Sequence, residues 1–217
     1  MILESSLKQF SVPAEAVLKT DLLRQGIHFT KEALQALTSS KAKSYFIFSF
    51  DRVTQKEMSE REKKAIPEEI ALTGGPWNLK RTIVSVRFNP QSPYSVRLSE
   101  ENCFELVAEN EILAMVTPPP QPAYYNEPLP NGKPVQDIAP TIEWGYLIYL
   151  TAFRLCQYWG EKEECGFCDI NENYRQQKKE RSYTGIKSIE ETIQAMTLID
   201  QKDSERVSHA YTVTGGA

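Results

Sequence analysis

The feature that most constrains the fold of this chain is a proline-rich segment over residues 117–140. Its eight prolines are Pro118, Pro119, Pro120, Pro122, Pro128, Pro130, Pro134 and Pro140. Proline lacks the backbone N–H that helix interiors and central strands use, so this segment is predicted to be an extended, irregular connector. It separates an N-terminal region, residues 1–116, from a C-terminal region, residues 141–217. Tyr124 and Tyr125 within the connector favour packing over free disorder.

The N-terminal region has the pattern of an α+β fold. Helices are predicted over residues 12–25 and 31–38, the second with Thr30 as its N-cap. Strands are predicted over residues 45–50, 81–88 and 111–116. None of these elements carries a motif that points to a function.

The C-terminal region has the pattern of a βαβ unit. Residues 146–151 are almost wholly apolar, which is typical of a strand buried in a parallel sheet. A long loop is predicted over residues 154–185, and Ser188 and Glu191 then have the spacing of a capping box at a helix start. One face of this helix carries Ile189, Ile193, Met196 and Ile199, and is predicted to face the core. A second short buried strand is predicted over residues 210–214, which makes the unit the opening module of a parallel sheet or barrel.

The predicted loop carries three of the four cysteines of the chain. Cys165 and Cys168 are separated by Gly166 and Phe167, a spacing that brings two sulfurs close enough to hold one metal centre. Cys156 lies nine residues before Cys165, and the loop is long enough to fold back. Three thiolates suit a [4Fe–4S] cluster that leaves one iron open for a substrate or cofactor.

Two other interpretations of these cysteines stay open. A CxxC pair also forms half of a zinc site, but structural zinc takes four ligands, and Cys103 and His209 are distant in sequence. A CxxC pair is also typical of thioredoxin-like redox sites, which place it at a helix start just after a strand. Here a polar loop over residues 169–183 is predicted to follow instead. The alternative function is that of a non-catalytic metal-binding protein, with zinc or an iron–sulfur cluster, or of an electron-transfer protein.

The second predicted strand ends in Thr214, Gly215 and Gly216. Two glycines at the C-terminal end of a buried parallel strand indicate that another group approaches the backbone closely. In barrel folds this end of the strands carries the active site.

This arrangement resembles the radical S-adenosylmethionine (SAM) superfamily: a first barrel strand, a three-cysteine loop, a helix, and a second strand that ends in a glycine pair. The closing CGFC sequence matches the family motif, with an aromatic residue before the last cysteine. The first gap departs from the usual CxxxCxxC spacing, since eight residues separate Cys156 from Cys165. The resemblance covers roughly residues 144–217. It implies an α/β fold, the start of a partial (β/α)6 TIM-like barrel.

The resemblance also implies the roles of individual residues. The three cysteines would ligate the cluster, and SAM would chelate the remaining iron. Thr214, Gly215 and Gly216 would hold the methionine amino group through backbone carbonyls, and Phe167 would contact the adenine side through its backbone. The reduced cluster would cleave SAM to methionine and a 5′-deoxyadenosyl radical, which would take hydrogen from an unknown substrate. A reductant such as flavodoxin or ferredoxin is the implied partner.

The chain supplies two strands of such a barrel, so the strand that ends at Gly216 would form a sheet edge with no neighbouring strand on its outer side. We therefore expect a fragment of a longer protein that is inactive by itself. Trp144, Tyr158 and Trp159 flank the cysteines and are predicted to pack at the barrel mouth.

The overall charge and hydropathy pattern give no indication of a nucleic-acid-binding or membrane protein. The formal net charge of −4 gives no electrostatic footprint for nucleic acid. No segment approaches the roughly 18 consecutive apolar residues of a membrane helix. Residues 1–10 lack the pattern of a signal peptide, so the predicted location is the cytoplasm.

Overall fold

A computed structural model of the chain describes residues 11–43, 59–143, 147–153, 155–159, 163, 165–166, 170–179, 183–203 and 210–215. The described residues form two compact units that divide between Gln121 and Pro122. We refer to the part before this point as unit 1 and to the part after it as unit 2. The division lies inside the proline-rich segment.

Unit 1 is built on a six-stranded sheet. Its helices are α1 (Ala14–Gln25), α2 (Lys31–Ala36) and α3 (Glu60–Ala65). Its strands are β1 (His28–Phe29), β2 (Glu69–Gly74), β3 (Leu79–Ser85), β4 (Tyr94–Leu98), β5 (Phe104–Ala108) and β6 (Glu111–Thr117). The strand order is β1-β4-β5-β6-β2-β3, and only the β1–β4 pair is parallel.

Local sequence explains the ends of the helices in unit 1. Helix α1 stops before Gly26, whose φ of 77° is readily adopted only without a Cβ. Helix α2 begins after Thr30, whose Oγ1 accepts a hydrogen bond of 3.2 Å from the amide of Ala33. Both predicted helices are thus confirmed, with ends that differ by two residues.

The strand predictions for unit 1 were less complete. The predicted strands over residues 81–88 and 111–116 correspond to β3 and β6. The β4–β5 hairpin was missed, and so was β2. The strand predicted over residues 45–50 lies outside the described residues.

The core of unit 1 is apolar and well covered. Its most deeply buried large side chains are Leu18, Leu22, Ile27, Ile66, Ile70, Leu72, Leu106 and Leu113. Lys41 is also buried, and its Nζ donates to the carbonyl of Ala42 at 2.9 Å and lies 3.6 Å from a carboxylate oxygen of Glu68. Burial lowers the pKa of Lys41 while Glu68 opposes this shift. Lys41 therefore has a structural role as part of a buried ion pair.

Unit 2 is built on a three-stranded sheet of β7 (Thr141–Glu143), β8 (Leu147–Thr151) and β9 (Ala210–Thr214), in that order. The β7–β8 pair is antiparallel, and the β8–β9 pair is parallel. Its helices are α4 (Ile170–Lys179) and α5 (Ile189–Lys202). The predicted α/β class holds at this level for the described residues, which form a six-stranded sheet and a three-stranded sheet.

The proline-rich segment forms part of the core of unit 2. The buried cluster comprises Tyr124, Tyr125, Leu129, Val135, Ile138, Ala139, Ile148, Leu150, Ala195 and Ile199. A short 3₁₀ turn, Val135–Asp137, lies in this segment. The packing that Tyr124 and Tyr125 predicted is therefore present, and the segment is more than a connector.

Helix α5 has the predicted capping box but a different buried face. The Ser188 Oγ accepts from the Glu191 amide at 3.0 Å, and the Ser188 amide donates to Glu191 at 2.8 Å. Ile199 is buried as expected, whereas Ile189 is 81% exposed and Ile193 is 57% exposed. Ile199 lies six positions after Ile193, which places the two side chains about 120° apart around the helix axis. The prediction that all four apolar residues share the buried face is therefore wrong.

The prediction that β9 is a buried strand is also wrong. The strand forms as predicted, but its residues are partly exposed and Val213 is 64% exposed. Tyr211 packs against the buried cluster, whereas Val213, two residues later on the same face of the strand, is exposed. None of the described helices is both long and apolar enough to cross a membrane.

Candidate metal and cofactor site

The carboxyl ends of the parallel strands β8 and β9 lie side by side. Thr151 is in register with Thr214, and their Oγ1 atoms are 3.5 Å apart. Directly beyond β8, the amide of Ala152 donates to the carbonyl oxygen of Thr214 at 2.8 Å. The chain segment that leads into the cysteine loop therefore begins beside Thr214, one of the predicted cofactor-binding residues.

Gly215 follows β9 and lies against Phe153. A Cβ at position 215 would be 3.0 Å from Cε1 of the Phe153 ring, which is closer than side-chain carbons normally approach. In the described part of the chain, the close approach predicted at the glycine pair is thus made by Phe153. Gly216 lies outside the described residues.

A buried lysine connects this strand end to the start of α5. The backbone amide of Lys187 donates to the carbonyl oxygen of Ala152 at 2.8 Å. Its side chain is 7% exposed, and Nζ donates to the Thr184 carbonyl at 2.7 Å, the Thr184 hydroxyl at 2.6 Å and the Gly185 carbonyl at 2.9 Å. Because both backbone groups of Ala152 are engaged, the exit of β8 is fixed on two sides. The sequence did not indicate this role, since a single lysine before an N-cap serine has no distinguishing pattern.

The residues before Lys187 also contact the proline-rich segment. The Thr184 hydroxyl donates to the carbonyl oxygen of Asp137 at 3.3 Å. Burial raises the pKa of the Asp137 carboxyl, while the positive charges of Lys187 and Lys133 oppose the shift. The backbone around residue 185 is thereby held between the 3₁₀ turn and the end of β8.

The predicted metal ligands lie on the segment after β8. Cys156 is half-buried and Cys165 is exposed, and both carry free thiols. Cys168 and Phe167 lie outside the described residues. No three His, Cys, Asp or Glu side chains cluster as a metal site among the residues that the structure describes. Cys103, left open as a further ligand, is an exposed free thiol of unit 1.

Three aromatic side chains pack together around the cysteine segment. The rings of Trp159 and Tyr174 have centroids 5.0 Å apart, and the rings of Tyr174 and Tyr183 meet edge to face at 5.1 Å. The Nζ of Lys178 lies 4.7 Å from the Tyr183 centroid and 5.7 Å from that of Tyr174, within range of cation–π attraction. Burial, followed by the neighbouring Tyr174, raises the pKa of Tyr183. We call these four side chains the aromatic cluster.

The aromatic cluster links the first cysteine to the helix after the last one. The Trp159 amide donates to the carbonyl oxygen of Cys156 at 3.4 Å, so residues 156–159 form a turn. Tyr174 belongs to α4, which begins two residues beyond Cys168. Of the predicted barrel-mouth aromatics, Trp159 is packed in this way whereas Tyr158 is 48% exposed.

The indole Nε1 of Trp159 is buried and has no hydrogen-bond partner among the residues that the structure describes. A buried donor without an acceptor costs about 1–3 kcal/mol, so native proteins rarely leave one unpaired. A group that accepts a hydrogen bond at this position would remove that cost.

Helix α4 corrects the prediction of a polar loop over residues 169–183. Residues 170–179 are almost entirely polar, although most of them are compatible with a helix. The correction removes part of the argument against a thioredoxin-like site, because a helix does follow the CxxC pair. The other part stands, since Cys165 lies 14 residues beyond the end of β8 at Thr151.

Comparison of the chain with protein-family models, with curated proteins and with solved structures gives no significant match.

Proposed function

We propose that the protein is a radical SAM enzyme that binds a [4Fe–4S] cluster and S-adenosylmethionine next to the carboxyl ends of β8 and β9. The observation that carries the proposal is the hydrogen bond from Ala152 to Thr214. It holds the start of the cysteine segment and the Thr214–Gly215 strand end at one edge of a parallel strand pair. Ligands of α/β proteins bind at this edge.

The donor groups of this chain suit such a cofactor. Cys156 and Cys165 have free thiols, and with Cys168 they would supply three thiolates and leave one iron open. The carbonyl oxygen of Thr214 accepts one hydrogen bond from Ala152 and keeps a second lone pair for an ammonium donor. Gly215 and Gly216 would add their backbone carbonyl groups.

Cys156, Cys165 and Cys168 would hold a cluster that, when bound and reduced, would supply one electron for the reductive cleavage of SAM and thus the radical chemistry that takes hydrogen from the substrate. The residues of this chain orient the cofactors and exclude water. Phe153 covers the strand end at Gly215, and Phe167 would contact the adenine side through its backbone. Lys187 keeps the exit of β8 in place.

The resemblance further supports the β8–α5–β9 unit as the opening of a partial (β/α)6 barrel. In this proposal the protein acts in the cytoplasm on a substrate that remains to be found, with flavodoxin or ferredoxin as the electron donor. The parallel register of β8 and β9 is compatible with this topology.

The test is to reconstitute the full-length protein with iron and sulfide without oxygen, reduce it, add SAM and measure 5′-deoxyadenosine. We expect a brown protein that forms 5′-deoxyadenosine. Cys165→Ser should abolish both the colour and the product. Cys103→Ser is the matched control, since Cys103 is also an exposed free thiol but belongs to unit 1. This variant should behave as the wild type.

Two results would contradict the proposal. A colourless protein that holds one zinc ion per chain would establish a structural metal site. A brown protein that leaves SAM intact under strong reduction would favour an electron-transfer role.

A further inference from the structure

The unpaired indole N–H of Trp159 is the starting point. Its Nε1 is buried, and within the described part of the chain no oxygen, nitrogen or sulfur accepts its hydrogen bond. The aromatic cluster holds the ring in place, because Tyr174 packs on it with centroids 5.0 Å apart and Lys178 lies over Tyr174. A fixed, dry donor of this kind is suited to an acceptor that comes from outside the polypeptide.

The position of Trp159 relative to the cysteines suggests what that acceptor is. Its backbone closes a turn with Cys156, and its ring packs on α4, which begins two residues after Cys168. Trp159 is therefore tied at one end to the first predicted cluster ligand and at the other to the element that follows the third. The eight residues between Cys156 and Cys165, which depart from the usual spacing, contain this tryptophan.

We infer that the indole Nε1–H of Trp159 donates a hydrogen bond to a sulfur of the bound iron–sulfur cluster, either an inorganic sulfide or a cysteine thiolate. This inference rests on the proposed function. A donor to cluster sulfur stabilises the reduced state, which carries one more negative charge, and thereby raises the reduction potential. The longer first gap then has a physical role, since it contains the residue that donates to the cluster.

The test compares Trp159→Phe with wild-type protein after reconstitution with iron and sulfide. Phenylalanine keeps an aromatic ring against Tyr174 but removes the donor. We expect the variant to bind the same amount of iron and sulfide. Its midpoint potential, followed by electron paramagnetic resonance, should become more negative. A tenfold change in the ratio of oxidised to reduced cluster corresponds to about 59 mV for one electron, and a shift of this size is expected for a lost hydrogen bond to a charged acceptor.

Two further variants control this measurement. Tyr158→Phe changes the neighbouring residue, which is 48% exposed, and should leave the midpoint unchanged. Trp159→His retains a ring N–H and should recover part of the shift. An unchanged midpoint in a fully loaded Trp159→Phe protein would overturn the inference and leave the proposed function intact. A wild-type protein that takes up no iron–sulfur cluster would contradict both.

A measurement on the unaltered ring decides the question if Trp159→Phe fails to fold or to load. The chain has three tryptophans, so protein labelled with ¹⁵N-tryptophan gives three indole N–H resonances. Trp77→Phe and Trp144→Phe assign two of them and thus identify that of Trp159. We expect the Trp159 resonance to be strongly shifted or broadened when the paramagnetic cluster is loaded. A resonance with the same shift and width before and after loading would overturn the inference.

Discussion

The two units differ in how completely their sheets are covered. In unit 1, Leu72 on β2, Val84 on β3 and Leu106 on β5 are each fully buried. In unit 2, Ile148 and Leu150 on β8 are buried to a similar extent, but Val213 on the neighbouring β9 is 64% exposed.

This difference matters because parallel strands are normally covered on both faces. Unit 1, which is almost wholly antiparallel, obtains its stability from an apolar core. The apolar core of unit 2 leaves part of its sheet exposed, and polar contacts around Ala152 add to the packing. Unit 2 also carries the candidate site. We therefore expect unit 2, but not unit 1, to gain stability from a bound metal group, since metal binding adds to the free energy of folding.

The largest expected effect tests whether α5 contributes only one of its faces to the core of unit 2. Ile199 and Ile189 lie on the same helix, but Ile199 is 1% exposed whereas Ile189 is 81% exposed. Ile199→Ala should lower the free energy of unfolding by about 2–5 kcal/mol. Ile189→Ala should change it by no more than about 0.5 kcal/mol.

Urea unfolding in a Trp77→Phe background measures this effect, because the remaining tryptophans, Trp144 and Trp159, both belong to unit 2. Equal losses of stability in the two isoleucine variants would contradict the burial of only one face of α5.

A smaller effect tests the polar contacts of unit 2. Lys187→Met removes a buried ammonium that donates to two carbonyls and a hydroxyl, and should cost about 1–3 kcal/mol, because these acceptors lose their partner. Lys202→Met is the matched control, since Lys202 is 54% exposed and lies 4.0 Å from Glu127. Its cost should be about 0–0.5 kcal/mol. If the two lysine variants unfolded at the same urea concentration, Lys187 would have no special role.

The packing at the strand end gives a third prediction. Gly215→Ala places a methyl group 3.0 Å from the ring of Phe153, and should cost about 1 kcal/mol because the ring must shift. Gly166→Ala has open space around its new methyl group and should be close to neutral. A Gly215→Ala, Phe153→Leu double variant should recover most of the loss if the ring is the cause. An equal loss in the double variant would show that another group opposes the methyl.

The smallest effect concerns pH and the capping box of α5. Hydrogen bonds from Lys133, and then from the Ser188 amide, lower the pKa of Glu191 to about 2. A carboxyl whose pKa is lowered by folding contributes stability above its ordinary pKa and loses this contribution as the pH falls towards the folded value. We expect Glu191→Gln to be less stable than wild type by about 0.5–1 kcal/mol at pH 7.

This difference between wild type and Glu191→Gln should shrink as the pH is lowered from about 5 to about 2, which urea unfolding at several pH values measures. A constant difference across this range would mean that the ionised form of Glu191 is not what stabilises α5.

Much of the fold was predictable wherever local chemistry decides the structure. The N-cap of α2 at Thr30 and the capping box of α5 follow from short-range hydrogen bonds, and both were predicted correctly. Helix α4 was missed because its residues are almost entirely polar. The exposure of Ile193 was missed because the packing of α5 against the rest of unit 2, and not the sequence of α5 alone, determines which of its faces is buried.

The candidate site was likewise predictable where local sequence determines the structure, and not where packing does. The βαβ pattern correctly predicted that the strand ending at Thr214 forms a parallel pair with β8. The burial of Lys187 and the unpaired donor of Trp159 were not predicted, since both depend on packing between segments distant in sequence. The cluster and its ligands stay a prediction.

The double engagement of Ala152 has a consequence for how this protein tolerates substitution. Its N–H and its carbonyl bind Thr214 and Lys187, so it acts entirely through its main chain. Most amino acids would make the same two hydrogen bonds, and only proline, which has no N–H, would break one of them. Position 152 can therefore vary widely among related sequences while the geometry that it maintains stays constant.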